Sequence, residues 1–257
     1  MIDLITKDCI VGMKDLQEKS VDVIVTSPPY NLGIDYSTYS DKKGREDYLS
    51  WMREVFLECK RVLKDEGHLF LNVGYSNVDP WVNMDVAQTL REDWVLQNNI
   101  CWVKSIYVNG KTTGHFKPIN SKRYINPTWE SLFHFTKDGN VEIDKLGVGV
   151  PFEVKSNITR RGHEQDLRDR GNSWFVPYPH ISRKKEKGNH PAIFPPQLVE
   201  FCLKTTGIDK GVLLDPFLGT GTSAWVAQEM EWDFIGYDID EEYIEFAKSR
   251  LHNVLAI

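Results

Sequence analysis

Short apolar runs alternate with stretches of three-to-four periodicity along most of the chain. "VDVIV" (21–25), "HLFLNV" (68–73), "NICWV" (99–103), "SLFHF" (131–135), "GVLLD" (211–215) and "DFIGYD" (233–238) predict strands. Several lack polar alternation, as strands buried on both faces do. Between the first two, Tyr48, Trp51, Met52, Val55, Phe56, Cys59, Val62 and Leu63 fall on one helical face. That spacing predicts an amphipathic helix ended by "KDEG". "PWVNMDVAQTLRED" (80–93), with Pro80 at its start, predicts a second helix, and "PPQLVEFCLKTTG" (195–207) and "DEEYIEFAKSRL" (240–251) predict two more. Such alternation implies an α/β fold, a doubly wound, mostly parallel sheet with helices on both faces.

Two stretches interrupt this rhythm. Residues 32–47, "LGIDYSTYSDKKGRED", are polar and contain glycine, as a mobile loop beside a site would be. Residues 139–190 carry scattered Gly, Pro, Arg and His without periodicity, but Phe152, Trp174, Phe175 and Tyr178 favour an ordered insertion over a disordered linker.

Size and composition change this picture little. A chain of 257 residues with 41% hydrophobic and 26% charged residues suits one soluble domain with insertions, or one domain plus a small second one. The start "MIDLITKDCI" is not that of a secretory signal, and no apolar run approaches the ~20 residues that span a bilayer. A cytoplasmic location is the expectation. Cys9, Cys59, Cys101 and Cys202 are widely spaced with no CxxC pair, so neither a metal site nor a redox motif is expected.

Charge matters more through its distribution than through its total of −6. Between Lys155 and Lys187 stand nine basic residues against Glu164, Asp166, Asp169 and Glu186, and from Lys104 to Lys137 six against Glu130 alone. An acidic body with a basic middle suits a polyanion on one face, and solvated loops give the same pattern.

Two motifs carry chemistry. "TSPPYN" (26–31) leaves a strand through two prolines, which remove two N–H donors and fix two φ angles. Either a loop-initiating turn or a preorganised site answers to that. Near the other end, "GVLLDPFLGTGTSAWVAQEMEWDFIGYDID" is a strand, a glycine turn, a helix and a second strand closed by an acid. Gly219 and Gly221 let backbone approach a ligand, the helix from about Thr222 points its N-terminus at it, and Asp238 stands where a carboxylate takes ribose hydroxyls. "GTGTSA" also satisfies the dinucleotide pattern, so a nicotinamide cofactor is a rival. The acid and aromatic before the glycines suit an amino-acid moiety better than a pyrophosphate. Asp215 is placed to accept from an α-ammonium group and Phe217 to cover an adenosine, which favours S-adenosylmethionine.

Together these stretches resemble the amino-methylating DNA methyltransferases, which modify N6 of adenine or N4 of cytosine. "SPPY" (27–30) matches their catalytic [D/N/S]-P-P-[Y/F/W], and "DPFLGTG" (215–221) their D-x-F-x-G-x-G cofactor motif. The order, catalytic motif first, is similar to the family's permuted β type. "TKDCIVGMKDLQEKSVDVIVTSPPYN" resembles its N-terminal block, "HPAIFPP" (190–196) the block that contacts the methionine part, and "RYINPTWESLFHFTK" (123–137) the segment before target recognition.

The resemblance covers nearly the whole chain. It implies a Rossmann-like methyltransferase fold divided into catalytic residues 1–138, a target-recognition insertion at 139–188 and a cofactor-binding part at 189–257. It places Asp8, Cys9, His190, Pro191, Asp215, Pro216, Phe217, Gly219, Gly221, Thr222 and Asp238 around S-adenosylmethionine. It also places Arg160, Arg161, Arg168, Arg170, Lys184 and Lys185 on DNA, with phosphates or solvent ahead of base edges as the expected contact of the arginines, and no metal. Double-stranded DNA is the implied partner. A cognate restriction endonuclease and a second copy of the chain stay open, and the location becomes cytoplasmic and nucleoid-associated.

An exocyclic base amine is a poor nucleophile because its lone pair is delocalised. The resemblance therefore implies Ser27 and the Pro28 carbonyl as acceptors for its hydrogens, held rigid by Pro28–Pro29, with Tyr30 stacked on a flipped base. Serine in the first position favours N4 of cytosine over N6 of adenine, because a hydroxyl both accepts from the amine and donates to N3. Asp8 has a helix-capping role as its plain alternative, and His190–Pro191 an ordinary turn. Trp129 and Glu130 form a suggestive aromatic–acid pair at a strand start. An RNA or protein amide methyltransferase places its motif after the glycine loop, opposite to this order, and an inactive DNA-binding subunit would not need both motifs intact.

Overall fold

The computed structural model describes residues 1–34, 38, 41–114, 119–160, 162–177 and 194–252. In chain order the elements are β1 (Ile2–Thr6), α1 (Cys9–Met13), β2 (Val21–Thr26), α2 (Arg45–Val62), β3 (Leu63–Val73) and α3 (Val82–Thr89). There follow β4 (Val95–Val103), β5 (Ser105–Val108), β6 (Lys111–Gly114), β7 (Trp129–Thr136), α4 (Ser156–Arg160) and β8 (Ser173–Phe175). The chain closes with α5 (Pro196–Thr206), β9 (Val212–Asp215), α6 (Thr222–Glu229), β10 (Asp233–Asp238) and α7 (Glu241–His252).

The main sheet has the order β1-β10-β9-β2-β3-β7-β4-β8. All its pairs are parallel except those of β7, which runs antiparallel to both β3 and β4. Each predicted strand forms, and β10 forms with the predicted bounds. Buried residues fall into two clusters. Ile24, Tyr48, Met52, Phe56 and Val82 lie in one, and Val23, Leu203, Leu213, Val226 and Ile244 in the other. Helices thus cover both sheet faces, as the unbroken apolar runs require.

α2 buries Tyr48, Met52, Val55, Phe56, Cys59 and Val62 on the predicted stripe. Fully burying each such side chain is worth about 1.5–3 kcal/mol before conformational entropy is counted. Its end differs from the expectation. The helix stops at Val62 and Leu63 is already extended, so "KDEG" belongs to β3 and does not terminate the helix. Pro80 likewise lies two residues ahead of α3.

The described part of the irregular segment, 139–177, packs on the sheet. β8 adds to the edge strand β4, and Val148, Phe152, Trp174 and Val176 are buried with it, all but Phe152 in the second core. Trp102 Nε1 donates to the Val176 carbonyl (2.8 Å), and the Asp144 amide to the Thr205 carbonyl (2.8 Å). A three-residue strand is too short to show periodicity. The β5–β6 hairpin was also missed, although Asn109-Gly110, both with positive φ (51° and 75°), carries the turn signal. No helix among the described residues is long and apolar enough to cross a membrane.

Candidate active site

β9 and β2 lie side by side, and their C-terminal ends meet where the strand order reverses, at the crevice that open α/β sheets use for ligands. Here the two motifs join directly. Thr26 Oγ1 donates to Asp215 Oδ1 (2.7 Å), Ser223 Oγ to Asp215 Oδ2 (2.6 Å), and the Phe217 amide to Oδ1 (3.0 Å). Asp215 has no solvent exposure. Burial pushes its carboxyl up to about 6, with the bonds from Ser223, Thr26 and Phe217 opposing that rise. The expectation that Asp215 meets a ligand ammonium is corrected: its oxygens already serve three protein donors, so it clasps the glycine loop to the exit of β2.

The loop itself is held from the other side. The Gly219 amide donates to Asp238 Oδ2 (2.8 Å) and the Asp240 amide to Oδ1 (2.9 Å). Burial, first among its causes, raises the Asp238 carboxyl. Gly219 and Gly221 have φ of 53° and 79°, and a Cβ on Gly221 would stand 2.6 Å from Ala247 Cβ. Only glycine fits there, and it lets α7 support the start of α6.

Between these elements opens a cavity of about 780 Å³, within the span of small-molecule sites. Asp8, Cys9, Pro216, Phe217, Gly219, Thr222 and Asp238 line it, and so do Ser27, Pro28, Pro29 and Tyr30. Asp8 also caps α1, accepting from the Val11 amide (3.1 Å), so capping and a place on the cavity wall coexist. The Cys9 thiol is pushed up to about 12, chiefly by burial and next by Asp8, and serves as an apolar wall. Thr220 Oγ1, buried in the cavity wall, has no hydrogen-bond partner among the described residues. An orphaned hydroxyl on a glycine loop at a helix N-terminus is what a polar cofactor would satisfy. Phe217 and Trp51 meet edge to face with ring centres 5.5 Å apart, giving the cavity an aromatic side.

Across the cavity, the exit of β2 is fixed by side chains from distant strands. Ser27 Oγ lies 2.7 Å from Tyr30 Oη and 3.3 Å from Asn72 Oδ1, and Tyr30 Oη lies 3.0 Å from the same Oδ1. Asn72 Nδ2 donates to the Ser131 carbonyl (3.1 Å), which turns Oδ1 toward the hydroxyls. Tyr30 Oη also reaches Glu130 Oε2 (3.2 Å), whose Oε1 pairs with Lys104 Nζ at 2.5 Å. Tyr48 Oη donates to the Pro29 carbonyl (2.8 Å). Buried Asp41 takes the amides of Asn31, Leu32 and Ile34 at 2.8–3.0 Å. Asp41 thereby ties the start of the 32–47 stretch, at residues 31–34, to its described second half.

The remaining expected residues divide. Gly221 lies behind the cavity, under the start of α6. His190, Pro191, Arg161, Lys184 and Lys185 lie outside the described residues. Arg160 and Arg168 are exposed. Arg170 turns inward instead: its Nε donates to the Val148 carbonyl (2.7 Å), its guanidinium stands 4.5 Å over the Phe201 ring, and burial lowers its pKa. As placed, it ties the irregular segment to α5 and is not directed at DNA. Asn72, Lys104 and Trp51 were missed at the site. Glu130 was only suggestive, because partners 42 and 100 positions away from Tyr30 leave no local pattern.

Comparison with known proteins agrees with the resemblance to the amino-methylating DNA methyltransferases. The DNA methylase family model, of the N6/N4 type, matches residues 21–249. The type II methyltransferase M.HpaI of Haemophilus parainfluenzae is 31% identical over 251 residues, 96% of this chain and 73% of that protein. Among solved structures, the cytosine-N4-specific PvuII DNA methyltransferase superposes with a TM-score of 0.74 at 17% identity, over 96% of this chain and 85% of that one. A Thermus thermophilus protein solved with S-adenosyl-L-methionine superposes with a TM-score of 0.66 at 21% identity, over 98% and 94%.

Proposed function

The chain belongs to the N6/N4 family of DNA methylases, and on that premise we propose that it methylates the exocyclic N4 amine of cytosine in double-stranded DNA with S-adenosylmethionine. The observation that carries this reading is a cavity shared by the glycine loop and Ser27–Tyr30. When bound, the cofactor supplies an electrophilic methyl on a sulfonium. Asp238, Thr220, Phe217 and the start of α6 would hold it, with Asp8 and Cys9 on the wall. Ser27 Oγ and the Pro28 carbonyl accept from the amine, and Tyr30 lines the base's place. Residues 139–188 supply target recognition in this reading, with Arg160 and Arg168 as phosphate contacts.

One observation admits a second reading, N6 of adenine. The Ser27 hydroxyl already has Asn72 and Tyr30 as partners, so donation to cytosine N3 would have to displace them. Used only as an acceptor, Ser27 suits either amine. Nucleoside digestion of DNA from a host expressing the protein decides between them. N4-methylcytosine supports the first reading, N6-methyladenine moves it to the second, and neither base modified overturns both.

A further inference from the structure

Resting on the amino-methylation reading, a further role follows for the side chains behind Ser27. Two hydroxyl protons, on Ser27 and Tyr30, share two acceptors, Asn72 Oδ1 and Glu130 Oε2. If Tyr30 donates to Ser27 or to Asn72 Oδ1 (3.0 Å), Glu130 Oε2 loses this donor. If Tyr30 donates to Glu130, Ser27 donates inward to Tyr30 or Asn72, and the carboxylate keeps its donor. The second arrangement leaves the Ser27 lone pairs for the cavity. Lys104 at Oε1 orients the carboxylate so that Oε2 faces the phenol.

We propose that Ser27, Tyr30 and Glu130 form a relay that takes the proton the amine sheds as it is methylated, with Lys104 and Asn72 as positioning residues. In the transfer, the nitrogen lone pair forms the N–C bond and the C–S bond breaks with its electron pair kept by sulfur. As that bond forms, positive charge builds on nitrogen. One N–H bond breaks in the same step, with its pair kept by nitrogen. The proton passes to Ser27 Oγ as the Ser27 proton moves to Tyr30 Oη and the Tyr30 proton to Glu130 Oε2. Charge balances, because one sulfonium and one carboxylate charge vanish together. Since Glu130 lines the cavity, it returns the proton to water there.

The test is single-turnover methylation of mixed-sequence DNA by Tyr30→Phe, Glu130→Gln and the double variant. Each single change should slow transfer about 100-fold, and the double variant should be no slower than the worse single. Glu130→Asp should recover part of the rate. Cofactor and DNA affinities by calorimetry should stay within about twofold for every variant, which a merely structural role would not give. In protein carrying 13C-labelled glutamate carboxylates, Tyr30→Phe should shift the Glu130 resonance. A wild-type rate in Tyr30→Phe, or losses that multiply in the double variant, overturns the relay while the methylation reading stands. A wild-type protein that binds cofactor yet methylates no DNA overturns that reading and the relay with it.

Discussion

The two walls of the cavity are built on different principles. On the glycine-loop side, residues 212–240 hold one another: Asp215 binds Phe217 and Ser223, and Asp238 binds Gly219 and Asp240. Most of these bonds span fewer than ten positions or join adjacent strands, and many use backbone amides. On the strand-exit side, Ser27 and Tyr30 depend on Asn72 from β3, Glu130 from β7 and Lys104 after β4. A cofactor common to many enzymes is met by a locally encoded cradle, while the reacting amine is met by side chains that the sheet must first assemble. The bond from Thr26 to Asp215 couples the two walls directly.

If this contrast holds, the two walls should fail differently. The largest effect is expected from Gly221→Val, where a β-branched side chain at φ of 79° would strike Ala247. Strain and overpacking together should cost about 2–4 kcal/mol, measured by denaturant unfolding. Ser27→Ala should leave folding and cofactor affinity intact but lower the single-turnover rate about 100-fold. An equal loss of cofactor affinity would erase the distinction between the walls. Asp238→Ala should do the reverse: cofactor Kd rises about tenfold by titration, a loss of about 1.4 kcal/mol, with the rate at saturation nearly kept.

The mildest change should be Asp215→Asn, read through pH. The folded carboxyl sits at about 6, above its ordinary 3.8, so the native state holds the proton more tightly than the unfolded one. The contribution of Asp215 to stability is therefore fully present below about pH 4 and is lost as pH rises through about 6. Compared with wild type, Asp215→Asn should show a flatter dependence of Tm on pH across this window. Identical slopes would mean that Asp215 does not titrate as a buried clasp.

Much of this was legible in the chain, for physical reasons that differ by element. The six apolar runs predicted six strands of the sheet because a strand buried on both faces has no polar position to tolerate. The α2 stripe was legible because burial at 3.6-residue spacing leaves a pattern over about five turns. β8 was not, since three residues show no period, and Arg170 was misjudged because a guanidinium in an irregular segment looks the same whether it faces solvent or Phe201. Asp215 was found as a site residue but given the wrong task, because composition cannot tell a carboxylate aimed at a ligand from one already satisfied by Thr26, Ser223 and Phe217.

By itself the sequence determined the fold class, the glycine cradle and the rigid Ser27–Tyr30 exit, because each is encoded over a few neighbouring positions by backbone restriction and burial. Only the tertiary structure decided what stands behind Ser27. Asn72 reaches it from β3, Glu130 reaches Tyr30 from β7 and Lys104 reaches Glu130 from just past β4, and the order of these strands, set by packing across the whole domain, leaves no trace in local spacing.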